Sequence, residues 1–250
     1  MKVFTVFGIT QSGKTTTIEN IIKELKKRQF SVGSVKDIHF ESFTIETKGT
    51  NTDRHHKAGS DLVTARGLYE TDILFKKRLS IDDILKFYNH DFVVLEGVRD
   101  CIVPKIITAH DIKEIDGRLD EGVFAISGRV ANEIKEYKGL PVINAIKNIK
   151  KLVDLIEEKV YEKLPNFPIE CCNECGYGCD ELGGQILKGE ATREDCVIKQ
   201  EDITLIVDGK EIDIVPFVQK ILLNAVMGVV GELEGCKKSK GVVVKIGNEN

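Results

Sequence analysis

The stretch Gly8-Ile9-Thr10-Gln11-Ser12-Gly13-Lys14-Thr15 has the form G-x-x-x-x-G-K-T, and its setting decides the fold. Lys2-Val3-Phe4-Thr5-Val6-Phe7 in front of it reads as a buried β-strand. Behind it, Ile18, Ile21, Ile22 and Leu25 recur at the spacing of an amphipathic helix over residues 15–29. Strand, glycine turn and helix in that order are the context that a phosphate-binding P-loop requires. The glycines let backbone N–H groups approach phosphate oxygens, and the helix N-terminus adds partial positive charge. The pattern predicts that Gly8, Gln11, Ser12, Gly13, Lys14, Thr15 and Thr16 bind a nucleoside triphosphate. Lys14 reaches the β- and γ-phosphates, and the Thr15 hydroxyl ligates Mg²⁺. A glycine turn matching by chance is the competing reading, and the flanking elements argue against it.

Working outward, short β-branched runs alternate with helical spacing to about residue 163. Val32-Gly33-Ser34-Val35-Lys36, Asp72-Ile73-Leu74-Phe75, Asp91-Phe92-Val93-Val94-Leu95, Pro104-Lys105-Ile106-Ile107-Thr108, Gly122-Val123-Phe124-Ala125-Ile126 and Pro141-Val142-Ile143 read as strands. Residues 81–88 and 146–163 read as helices. Such alternation predicts an α/β fold, a mostly parallel sheet covered by helices on both faces. Ligands of these sheets sit at the carboxyl ends of the strands, where Glu96 joins the P-loop. Glu96 is the expected acidic partner of Mg²⁺ and, with Lys14, the expected catalytic group; Gly97 could offer its N–H to the γ-phosphate. The long polar segment from Asp37 to Asp61 is expected to sense the γ-phosphate or a partner.

Leu164-Pro165-Asn166-Phe167-Pro168 breaks the last helix and reads as a linker, so residues 1–163 form a P-loop domain and 169–250 a small α+β module. Asp208-Gly209 between two apolar runs signals a hairpin. Pro216 then opens a helix, and residues 242–246 resemble a closing strand.

Seven cysteines in a chain with no signal peptide point to metal or redox chemistry in the cytoplasm rather than to a disulfide framework. Cys172, Cys175, Cys179 and Cys196 fall at C-x2-C-x3-C-x16-C spacing, with Cys171 as a spare. Four thiolates favour an Fe–S cluster or Zn²⁺. The lone Cys101 reads as a small buried hydrophobe.

The net charge of −4 gives no basis for a nucleic-acid surface. The longest apolar candidate for a membrane span, residues 217–233, is interrupted by Gln219, Lys220, Asn224, Gly228 and Gly231.

The residues resemble the molybdopterin-guanine dinucleotide biosynthesis protein B (MobB) family of P-loop GTP-binding proteins over about residues 2–160. The resemblance rests on Phe7 to Thr16, on Val32-Gly33-Ser34-Val35-Lys36-Asp37-Ile38-His39, on Thr47 to Ser60, and on Leu95-Glu96-Gly97-Val98-Arg99 followed by Pro104-Lys105-Ile106. Asn51 stands where the family usually has Asp after Gly-Lys, and can still donate an oxygen to Mg²⁺. Val98 and Arg99 replace the usual aromatic and Lys. The resemblance implies GTP and Mg²⁺ as ligands and slow GTP hydrolysis at most. It also implies an adaptor role beside the guanylyltransferase that builds the molybdenum or tungsten pterin cofactor; a homodimer stays open. The cysteine run resembles the four-cysteine [4Fe-4S] module of corrinoid and acetyl-CoA pathway proteins. Two other readings stand beside this one: a P-loop small-molecule kinase with Arg54, Arg66 and Arg99 as lid candidates, and an Fe–S redox or metal-delivery protein gated by nucleotide.

Overall fold

The computed structural model describes residues 1–167, 172, 175–196, 203, 205–207, 210–212, 214, 216–233 and 242. The chain divides into two compact units. One comprises Met1–Asn166 with Asp180–Arg193; the other comprises Phe167–Cys179 with Glu194–Asn250.

In the first unit β1 (Lys2–Gly8) leads through the P-loop to α1 (Lys14–Lys27) and β2 (Val32–Lys36). Then come α2 (Asn51–Lys57), the hairpin strands β3 (Leu62–Arg66) and β4 (Thr71–Phe75), and α3 (Ile81–Leu85). The chain re-enters the sheet as β5 (Phe92–Glu96), β6 (Lys105–Ala109), α4 (Lys113–Asp116) and β7 (Val123–Gly128). A two-residue ribbon, β8 (Glu136–Tyr137) with β9 (Leu140–Pro141), precedes α5 (Ile149–Lys159). The helix α6 (Cys179–Lys188) follows; its residues from Asp180 onward group with this unit.

The sheet has the order β2-β5-β1-β6-β7, and every pairing is parallel. The α/β architecture expected from the sequence is therefore present. Its central strand is the one that feeds the P-loop, so both neighbours can contribute to the site. Along β1, Val3 and Phe7 point to one face and join two apolar clusters with Leu95, Val93 and Leu85 and with Ile107, Ile115 and Ile126. The period of two sends Phe4 and Val6, both fully buried, to the opposite face. Helix α1 buries Ile18, Ile21 and Leu25, and α5 buries Leu152, Val153 and Ile156; the two helices lie against each other. Arg28 closes that junction. Its guanidinium reaches Glu24 at 3.1 Å, Asp154 at 2.7 Å, Glu157 at 2.6 Å and the Lys150 carbonyl at 3.2 Å.

Three local expectations change. Asp72 to Phe75 is a strand, but it pairs antiparallel with Leu62–Arg66 in a separate hairpin rather than joining the main sheet. Leu62, Leu68, Tyr69 and Ile73 are exposed there, and in the first strand only Val63 is buried, too short an apolar run to mark a strand. The segment taken as an open loop contains α2. Its N-terminus is capped by the Thr50 hydroxyl, which accepts from the Asp53 N–H at 3.4 Å. The last strand is only Leu140–Pro141, with Val142 bridging Ile126 in parallel.

In the second unit β10 (Leu205–Val207) and β11 (Lys210–Ile212) pair antiparallel, and α7 (Pro216–Val230) begins at the proline as expected. The Asp208-Gly209 turn and nearly all of residues 242–246 lie outside the described residues. No helix among the described residues is long and apolar enough to cross a membrane.

Replacing Arg28 by Ala removes four charge-assisted or carbonyl contacts from a side chain only 23% exposed. The expected loss is about 1–3 kcal/mol, seen as an earlier urea midpoint with little change in slope.

Candidate functional site

Gly8 ends β1 where it runs beside β6. A Cβ there would stand 2.0 Å from the Thr108 carbonyl oxygen, so only glycine fits. The chain then turns through Gln11 (φ +61°) and Gly13 (φ +106°), which is the residue before α1. Ser12 is fully buried. Its hydroxyl bonds to the Ile9 carbonyl and to the Thr108 hydroxyl, each at 2.8 Å. The Ser12 side chain therefore braces the loop, while its neighbours Gln11 and Gly13 line the cavity. On the far side Gly128 (φ +87°) lets β7 close in: a Cβ would meet the Ser12 carbonyl oxygen at 2.4 Å and Ala109 at 3.0 Å. His110 braces the loop's exposed turn through Nε2 to the Gln11 carbonyl at 3.0 Å, and Glu114 holds its Nδ1 at 3.1 Å.

A cavity of about 1230 Å³ opens above this loop at the carboxyl end of the sheet. Gly8, Gln11, Gly13, Lys14, Thr15, Thr16, Glu96 and Gly97 all line it. The Lys14 ammonium donates to the carbonyls of Gly8 at 3.0 Å and Ile9 at 2.5 Å. Burial pushes it below the usual lysine range; Glu96 opposes that shift, while Lys36, Arg118 and Arg99 add to it. The Thr15 hydroxyl donates to Glu96 Oε1 at 2.9 Å, and Lys36 reaches the same oxygen at 3.2 Å. A hydroxyl and a carboxylate held together are hard oxygen donors suited to Mg²⁺, which takes only one or two protein ligands beside phosphates and water. The buried Thr5 hydroxyl, 3.2 Å from the Leu95 carbonyl and 2.9 Å from that of Val98, ties the turn after Glu96 to β1.

Two expected contacts are not brought in. Asn51 is the exposed first residue of α2 and does not line the cavity, because the preceding residues 37–50 carry it away. The Gly97 N–H donates to the Val6 carbonyl at 3.0 Å, so Gly97 forms wall and offers that donor to the sheet. Sequence reasoning missed the opposite wall, built from Gly128, Arg129, Asn132 and residues 144–147. There the Asn144 amide donates to Asn132 at 2.9 Å, and its oxygen accepts from the Ile146 and Lys147 N–H groups, also at 2.9 Å. No motif marks these residues; only the short apolar run Pro141-Val142-Ile143 just before Asn144 could have drawn attention to them.

In the second unit Cys179 and Cys196 are buried, and Cys172 and Cys175 are partly exposed. Burial raises the Cys179 thiol, the Phe167 backbone opposes that shift, and Cys196, Cys172 and Cys175 lie close enough to raise it further. Among the described residues, however, no three His, Cys, Asp or Glu side chains stand in ligating reach of one point. Cys171 lies outside the described residues. Cys101 sits in the apolar cluster of β5, as expected for a small hydrophobe, and burial pushes its thiol up to about 11.

A family model described as molybdopterin guanine dinucleotide synthesis protein B matches residues 3–126. A protein of Methanocaldococcus jannaschii described as a putative molybdopterin-guanine dinucleotide biosynthesis adapter protein is 32% identical over 253 residues, spanning 98% of this chain and 97% of that protein. A Bacillus subtilis protein described as a probable adapter of the same kind is 26% identical over 144 residues, spanning 56% of this chain and 83% of its own. Among solved structures, the crystal structure of Bacillus subtilis MobB superposes with a TM-score of 0.54 at 22% identity, over 65% of this chain and all of that one. That likeness bears on the fold.

Two outcomes check this geometry. Gly128→Ala, with φ at +87° and a Cβ 2.4 Å from the Ser12 oxygen, is expected to displace the loop and cost ~2 kcal/mol or more of nucleotide binding or stability. Calorimetry and thermal unfolding read the two effects. Because the Cys101 thiol is pushed up to about 11, alkylation of Cys101 at pH 8 should be slow in the folded protein and become fast in urea.

Proposed function

The chain belongs to the molybdopterin-guanine dinucleotide biosynthesis protein B family, and on that footing we propose that it is a cytoplasmic adapter that binds Mg·GTP and works beside the guanylyltransferase of the molybdenum or tungsten pterin cofactor. The observation that carries the nucleotide half is the Thr15–Glu96 contact at 2.9 Å, next to Lys14, above a complete P-loop. Backbone N–H groups of residues 11–16 and the Lys14 ammonium would take the phosphates. Thr15 and Glu96 would hold the metal, which supplies charge neutralisation between the β- and γ-oxygens.

Binding suits this site better than turnover. Hydrolysis needs a group that orients the attacking water, and Glu96 is already tied to Thr15 and Lys36. A slow GTPase at most is the consequence.

The cysteine-bearing region is proposed as a metal centre, a [4Fe-4S] cluster with Zn²⁺ as the alternative, held by Cys172, Cys175, Cys179 and Cys196. Its support is the donor chemistry and the closeness of the other three thiols to Cys179. Thiolates in that number would draw together around a soft metal.

Calorimetry with Mg·GTP and Mg·ATP on anaerobically purified protein, with iron, sulfide and zinc assayed on the same sample, tests both halves. Preference for GTP and co-purification with the guanylyltransferase support the adapter reading. Preference for ATP with phosphorylation of a small metabolite replaces it with a kinase. Protein free of iron, sulfide and zinc removes the metal centre. Glu96→Gln is expected to weaken Mg²⁺-dependent nucleotide affinity about tenfold, or ~1.4 kcal/mol, and to leave the Mg²⁺-free affinity nearly unchanged.

A further inference from the structure

The wall of the large cavity carries six cationic side chains, Lys14, Lys36, Arg99, Arg118, Arg129 and Lys147, against two carboxylates, Asp37 and Glu96. This excess occurs in a chain whose net charge is −4. Lys36 is paired with Glu96 and Lys14 serves the loop, but Arg99 and Arg118 have no carboxylate partner among the described residues. Arg118 donates through one terminal nitrogen to the Glu114 carbonyl at 2.6 Å, while its Nε is buried with no partner. Arg99 lies over the Phe7 ring, 5.4 Å from its centroid. Both arginines lie close enough to Lys14 to depress its ammonium, against the opposing pull of Glu96.

These two side chains also line a second cavity of about 190 Å³ on the far side of Phe7, with Lys105 at its edge. Asp120 neutralises Lys105 at 2.6 Å, which leaves the two guanidinium groups as the net charge of the pocket. Its volume matches roughly six waters, enough for a phosphate group but too small for a nucleoside.

We propose that Arg99 and Arg118 form a second anion site, adjoining the P-loop cavity, that takes the phosphate of a small phosphomonoester while the nucleotide occupies the loop. A phosphomonoester carries close to two negative charges at neutral pH, matching two unpaired guanidinium groups. Its several acceptor oxygens suit forked donors, including the idle Arg118 Nε. A carboxylate would leave one charge unbalanced. The sharing of Phe7, Arg99 and Arg118 between the two cavities means that two phosphate-bearing ligands would lie side by side. The simultaneous occupancy rests on the nucleotide reading above; the anion site does not.

The test is equilibrium dialysis of radiolabelled inorganic phosphate against the full chain, alone and saturated with Mg²⁺ and a non-hydrolysable GTP analogue. One phosphate per chain is expected to remain bound at saturating nucleotide. Arg118→Met and Arg99→Met should each weaken phosphate binding at least tenfold, a clearly larger factor than the loss of nucleotide affinity in the same variants. Arg99 is exposed, so its variant folds and keeps the test decisive if Arg118→Met does not. Arg118→Lys, which keeps charge but loses the fork, should recover only part of the affinity. Displacement of phosphate in step with nucleotide binding, or equal loss of both ligands in the arginine variants, overturns the second site. Phosphate that binds through the arginines in protein with no nucleotide affinity upholds the site and removes the nucleotide reading instead.

Discussion

The P-loop of this chain is held by backbone-to-backbone contact, and the rest of the site depends on that closeness. Gly8 lies so near the Thr108 carbonyl, and Gly128 so near that of Ser12, that neither position admits a side chain. Between them the Ser12 and Thr108 hydroxyls share a buried hydrogen bond at 2.8 Å. Three parallel strands are drawn together at their carboxyl ends, and the loop residues that face the ligand are left no freedom to relax away from it. The Thr5 hydroxyl does the same for the strand on the other side, fixing the turn that presents Glu96. Preorganisation of this kind lets backbone N–H groups bind a phosphate without ordering themselves at the moment of binding.

Electrostatics follow from the same geometry. The parallel sheet directs every strand's carboxyl end, and so every following loop, to one edge. Arg99 and Arg129 sit in those loops, and Lys36 and Lys14 stand at the strand end and helix start beside them. A chain that is acidic in total is therefore cationic around this cavity, and the surplus carboxylates lie elsewhere.

Local sequence rules read the sheet well because its strands are buried on both faces, and runs such as Phe92-Val93-Val94-Leu95 have no polar interruption. The P-loop and Glu96 were legible for the same reason, since each sits next to such a strand. The hairpin at Leu62–Phe75 was half read because Leu62, Leu68, Tyr69 and Ile73 face outward, and apolar periodicity reports burial only. Asn51 was misplaced because position in a motif does not give the path of the loop that carries it. The wall around Asn132 and Asn144 escaped entirely: its order comes from an amide bridging residues twelve apart, a tertiary fact with no spacing of its own. The cysteine spacing was clear, whereas the mutual placement of the thiols depends on the backbone around them.

The seat of the P-loop also has a history during synthesis. Ser12 leaves the ribosome long before its partner Thr108, which lies 96 residues later in the chain. Gly128 and its strand arrive later still. At ordinary elongation rates of about 5–20 residues per second, the gap amounts to roughly 5–20 seconds. Throughout that interval the glycine-rich turn lacks the Thr108 and Gly128 contacts that shape it in the folded chain. The earliest-made segment of the site is therefore among the last to take its final shape, since that shape waits on β6 and β7.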